Sequence, residues 1–177
     1  ASPVMFRTAP AGEEQPEKRK INSCNLRFVK EGAKRKTASW ANIADGGSAA
    51  AWRGYAFENV CFNHIPQIKA ALGISGVVTS ETLWSKRGEE GSPGTQIDLM
   101  IERKDNVVNM CEIKFTNDEF AVDKDYHFTL VRRGNLLREK LPKRTSVHNT
   151  LITTYGLKRN EYSGDFLQTV TLDALFT

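Results

Sequence analysis

Three ionisable residues sit where apolar ones belong. Between Thr95 and Phe115 the chain reads TQIDLMIERKDNVVNMCEIKF. Ile97, Leu99 and Ile101 alternate with Asp98, Met100 and Glu102, which is the period of a β-strand. Lys104-Asp105-Asn106 supplies turn chemistry, and Val107 opens a second apolar run through Met110, Cys111 and Ile113. Asp98 lies in the first run, Glu112 and Lys114 in the second. Charged side chains are seldom buried unless paired or bound to a metal. Glu112 and Lys114 are two residues apart and so point to one strand face, which Asp98 reaches if the hairpin pairs as written. Two carboxylates and an ammonium on one face make a compact site for a hard divalent cation and a phosphate. The alternative is structural: Glu112 and Lys114 as a strand ion pair, with Asp98 satisfying a turn.

The elements around this hairpin follow from the same patterns. Trp52, Tyr55, Ala56, Val60, Phe62 and Ile65 give an apolar stripe at helical spacing from about Ala49. Glu58, three residues after Tyr55 and four before Phe62, lies on or beside that stripe. It is either a boundary glutamate paired with an arginine such as Arg53 or a third acid aimed at the hairpin. Pro66 should end or kink the helix, and Gly73 should cap its continuation. Val77 to Trp84 reads as a strand. Residues 85–94, SKRGEEGSPG, form a loop that either contacts substrate or is plain surface. A second helix is expected from Asp123 to about Leu141, with Pro142 as its stop. Thr150 to Tyr155 is a β-branched strand, and Phe166 to Val170 a weaker one.

Three strands in succession predict an antiparallel meander, and the helix after them makes the fourth strand parallel to its neighbour. The expected fold class is α/β, a three-layer sandwich with a central mixed sheet of four to five strands. The element order is helix-strand-strand-strand-helix-strand.

Charge is distributed unevenly. The net charge of +4 is mild, but residues 17–36 hold eight Lys/Arg against two Glu. Residues 123–144 hold seven Lys/Arg against Asp123, Asp125 and Glu139. Lys124, Arg132 and Arg133 on the second helix are therefore candidates for contact with a phosphate backbone, the alternative being a solvated helix face. Residues 1–47 read as a basic tail or linker, disordered over its first twenty residues, and 48–177 as one domain. No apolar run approaches the roughly 20 residues of a membrane helix. Cys24, Cys61 and Cys111 are odd in number and widely spaced, and Cys61 and Cys111 sit inside apolar patterns, so buried free thiols at these two and a reducing cytoplasm are expected. His64, His127 and His148 lack metal-ligand spacing.

Glu58 on the first helix, Asp98 on the second strand and Glu112-x-Lys114 on the third resemble the PD-(D/E)xK nuclease superfamily. The stretches WRGYAFENVCFNHIPQIKAALGISGV, TQIDLMIERKDNVVNMCEIKF and TLITTYG look like the C-terminal nuclease-like domain of a family of AAA-type ATPases. The resemblance covers roughly Leu26 to Phe176. The motif here is Gln96-Ile97-Asp98, without the proline of the superfamily's name. This chain has no GxxxxGK[ST] phosphate loop, so the ATPase would be a separate module, with the residues before Ala49 as what remains of the link.

The resemblance implies a restriction-endonuclease-like fold and Mg2+- or Mn2+-dependent hydrolysis of nucleic acid, DNA first. It implies a catalytic set of Glu58, Asp98, Glu112 and Lys114. Glu58, Asp98, Glu112 and the carbonyl of Ile113 would serve as metal ligands. The alternative it leaves open is an inactive or weak module that binds DNA or a partner and regulates an ATPase.

Overall fold

The computed structural model describes residues 47–86 and 94–177. The basic segment before residue 47 and most of the glycine-rich loop lie outside the described residues.

Helix α1 spans Gly47–Asn63 and α2 spans Ile65–Ala71, with Pro66 in the first turn of α2, where its missing amide costs nothing. Strands follow as β1 (Thr79–Lys86), β2 (Thr95–Arg103) and β3 (Val107–Lys114). Helix α3 (Lys124–Arg138) leads to β4 (Ser146–Thr153), and β5 (Gln168–Thr171) closes the sheet. Spatial order equals chain order, β1-β2-β3-β4-β5. The first three strands pair antiparallel, while β4 pairs parallel to β3 and β5 parallel to β4. The expected α/β sandwich is therefore the fold, with a five-stranded mixed sheet.

The turns are set by local chemistry. Asn106 adopts φ 64° at the end of the β2–β3 turn, a conformation asparagine tolerates better than most residues. Gly73 takes φ 71° just past α2, where an αL residue ends a helix. The Asp123 side chain caps α3 by accepting from the Tyr126 amide at 2.8 Å.

Two apolar layers clasp the sheet. On one side Phe57, Cys61, Ile68 and Leu72 pack on Leu99, Ile101, Cys111, Ile113 and Ile152. On the other, Leu130 and Leu137 of α3 pack on Ile97, Met100, Val108, Met110 and Leu151. Each fully buried Leu or Ile contributes about 1.5–3 kcal/mol, which lets the fold carry charged groups in its middle. Cys61 and Cys111 are buried free thiols, as expected. Among the described residues no helix is long and apolar enough to cross a membrane.

Three expectations need correction. The α1 stripe is phased on Phe57 and Cys61, and Tyr55 is exposed. Strand β4 begins at Ser146, because its first residues pair with β3 despite their polar side chains. Strand β2 does not alternate strictly: Ile97 packs in the α3 layer, while Leu99 and Ile101 pack in the α1 layer. The cause is a bulge. Thr82 faces Met100 and Trp84 faces Ile97, so β2 holds one residue more than β1 over that interval.

Candidate metal and phosphate site

The bulge lies beside Asp98, and it places the site. Pairing between β2 and β3 runs from Glu102–Val108 to Leu99–Cys111 and stops there, although both strands continue. Where the ladder stops, the amide of Ile113 would lack a partner. The carboxylate of Asp98 supplies one, with Oδ2 accepting from Ile113 N at 3.1 Å. Its other oxygen, Oδ1, accepts from the side-chain Nε2 of Gln96 at 3.2 Å. Asp98 therefore takes the place of the backbone at the point where two strands diverge.

Glu112 projects from β3 toward α3 and is 4% exposed. Its Oε1 pairs with Lys114 Nζ at 2.5 Å, and its Oε2 accepts from Arg133 Nη1. The Glu112–Lys114 ion pair of the structural alternative thus forms, but a third charged residue joins it. Arg133 also donates from Nε to the buried hydroxyl of Thr95 at 3.1 Å. The Lys114 ammonium lies 5.6 Å from the centroid of the Tyr126 ring. The Tyr126 hydroxyl is buried beside the Glu112 carboxylate. Burial and then the charge of Glu112 hold its proton well above the usual phenol range.

The electrostatics show which groups are close. Burial pushes the Asp98 carboxyl up to about 6, and the charge of Glu112 adds to it. Lys114 and the Ile113 amide oppose that rise, and Glu58 reinforces it weakly. Two carboxylates that repel each other in a buried place are what a cation relieves. The thiol of Cys61 on α1 is pushed up to about 12, by burial first and then by Glu58.

The structure brings Asp98, Glu112 and Lys114 together at the mouth between β2 and β3. Glu58, half-buried on α1, approaches from the other layer. Among the described residues no group of three or more His, Cys, Asp or Glu is arranged to hold a metal ion. The donor set in reach is the pair of carboxylates of Asp98 and Glu112. It fits Mg2+, which keeps several waters and takes one or two protein carboxylates.

Of the basic residues on α3, Lys124 is exposed, Arg132 is half-buried, and Arg133 is turned inward. Arg133 was legible as more than a surface charge. Tyr126, Leu130, Arg133 and Leu137 fall at i, i+4, i+7 and i+11, so the guanidinium lies on the buried stripe of its helix. Away from the site, His127 Nδ1 pairs with Asp165 Oδ2 at 2.7 Å and His64 Nδ1 lies 2.7 Å from the Val60 carbonyl, both structural roles.

No family model matches the chain, and no curated protein matches it. Among solved structures it is similar to a crystal structure of a protein of unknown function, AF1548, at 16% identity and a TM-score of 0.41. That match covers 66% of this chain and 64% of the other.

Proposed function

We propose that this domain is a metal-dependent nuclease of the PD-(D/E)xK kind, hydrolysing phosphodiester bonds in nucleic acid, with DNA as the first substrate to test. The observation that carries the reading is the meeting of Asp98 and Glu112 where β2 and β3 part, with Lys114 on the same strand face. A Mg2+ or Mn2+ bound there would stabilise charge on the phosphate and lower the pKa of a bound water.

The chain's own residues would do the rest. Asp98 and Glu112, with the Ile113 carbonyl, would hold the cation. The Ile113 amide and Gln96 fix the Asp98 carboxylate in place, so its geometry is set before any ligand arrives. Lys114 would hold or deprotonate the attacking water and offset the charge that develops on the phosphoryl oxygens. Glu58 would act on the site through water. Lys124 and Arg132 on α3 would meet the phosphate backbone beyond the scissile bond.

A second reading draws on the double pairing of Glu112 with Lys114 and Arg133. A carboxylate already neutralised from two sides suits a module that binds DNA or an AAA-type ATPase partner without cutting. The two readings separate in one assay. Purified protein is incubated with Mg2+ or Mn2+ and a panel of single-stranded, duplex and branched DNA and RNA. The nuclease reading expects cleavage that EDTA, Asp98→Ala and Lys114→Ala each abolish. An intact panel, with metal-independent binding to DNA or to an ATPase, would leave only the second reading.

A further inference from the structure

We propose that Arg133 is a positioning residue that holds Glu112 in the place of a divalent cation and gives that carboxylate up when the cation binds. The inference rests on the metal site proposed above.

Glu112 carries a charge in a place that is almost dry, and such a charge needs a counter-charge to be tolerated. Two are present. Lys114 takes one oxygen and Arg133 the other. A divalent cation bound to Glu112 would be a third positive group on one carboxylate, so one of the two existing partners must leave.

The two partners are not equivalent. Lys114 lies two residues along the same strand, where a short backbone link and the Tyr126 ring keep its ammonium at the site. Arg133 reaches in from α3 and has an independent hold, the bond from its Nε to Thr95 Oγ1. It can leave Glu112 and remain at the wall of the site. The backbone opposite Arg133 is the bulged end of β2, with Thr95 at the far side of the bulge from Met100. That offset puts the Thr95 hydroxyl in the α3 layer beside Arg133.

Arg133 then has two effects of opposite sign. It neutralises Glu112 when no cation is bound, and it competes with the cation. Removing its charge should weaken the metal-free fold and strengthen metal binding. A residue that merely braced the helix would weaken both.

The test measures Mn2+ binding by calorimetry without nucleic acid, on the wild type, Arg133→Met, Arg133→Lys and Glu112→Gln. Thermal melting with and without Mn2+ is followed in parallel. Arg133→Met should bind Mn2+ about tenfold more tightly than the wild type. It should melt lower without metal, and it should gain more in melting temperature from Mn2+ than the wild type gains. Arg133→Lys, which keeps the charge but loses the fork and the Thr95 bond, should fall between the two. If Arg133→Met does not fold, the expected tightening in Arg133→Lys decides the matter alone.

Wild type that binds Mn2+ while Glu112→Gln does not, with both Arg133 variants no tighter than wild type, would overturn the role of Arg133 and leave the metal site standing. Wild type and Glu112→Gln that bind Mn2+ equally, or not at all, would overturn the site itself and this inference with it.

Discussion

Asn109 and Glu112 stand three residues apart on β3 and face opposite layers of the sandwich. Both are polar, and both are buried, at 0% and 4% exposed. Their surroundings differ in kind. The Asn109 side-chain nitrogen donates to Thr150 Oγ1 at 3.0 Å and to Gln168 Oε1 at 3.3 Å, joining β3, β4 and β5 through three neutral groups. Glu112 is tied to two cations and lies close to a second acid that its charge perturbs. The neutral trio locks strands in register. The charged cluster holds like charges at close range, which a structural role does not require. A buried polar group that settles its neighbours reads as architecture, and one that unsettles them reads as a site.

The comparison breaks most readily at Lys114. Lys114→Ala should lower metal-dependent cleavage by about a thousandfold, measured as initial rate on the preferred substrate. A loss under tenfold would remove the lysine from the chemistry.

Next in size is Asp98→Asn. The Asp98 carboxyl titrates near 6 in the fold, above its ordinary range. The folded state therefore holds that proton more tightly than the unfolded chain, so the contribution of this group to stability is fully present below about pH 4 and is lost as pH rises to about 6. Asp98→Asn should remove about 2–3 kcal/mol of that slope, read from urea midpoints in EDTA between pH 4 and pH 7. An unchanged slope would show that the fold does not raise the Asp98 carboxyl.

Asn109→Ala should cost about 2 kcal/mol of stability, by the same denaturation, and leave cleavage by the folded fraction unaltered. If cleavage falls with it, the line between architecture and site is drawn in the wrong place. The smallest effect belongs to Lys124→Ala. It should leave stability within about 0.5 kcal/mol and reduce the salt dependence of DNA binding by about one phosphate contact.

Most of the architecture could be read from periodicity. The order of elements, the antiparallel meander and the parallel β3–β4 pair follow from local patterns and connection lengths. What periodicity missed was where two strands stop pairing. Ile97, Leu99 and Ile101 look like one face, and only the register against β1 shows that Ile97 belongs to the other. The same is true of β4. Val147, His148 and Asn149 lack the composition of a buried strand, yet their partners on β3 enforce it. At the site, Asp98, Glu112 and Lys114 were visible as charges in apolar runs. Charge alone groups Arg133 with Lys124 and Arg132 on α3, whereas helical phase sets it on the buried stripe.

The extra residue in β2 also ties the site to the folding code of the strand. Side chains alternate along a strand with a period of two, so one inserted residue acts as a half-period phase shift. Thr95 and Ile97 lie in the α3 layer, opposite to Leu99 and Ile101, because the shift falls between them. Deleting a single residue at the bulge would return β2 to an unbroken ladder in which its first three residues keep their faces and their partners on β1. Ile97 would stay opposite Trp84 and Thr95 opposite Lys86, so trimming would spare the end of the strand and remove only the irregularity beside Asp98. The extra residue therefore serves the place where Asp98 sits and not the core, which a strand one residue shorter would fill equally well.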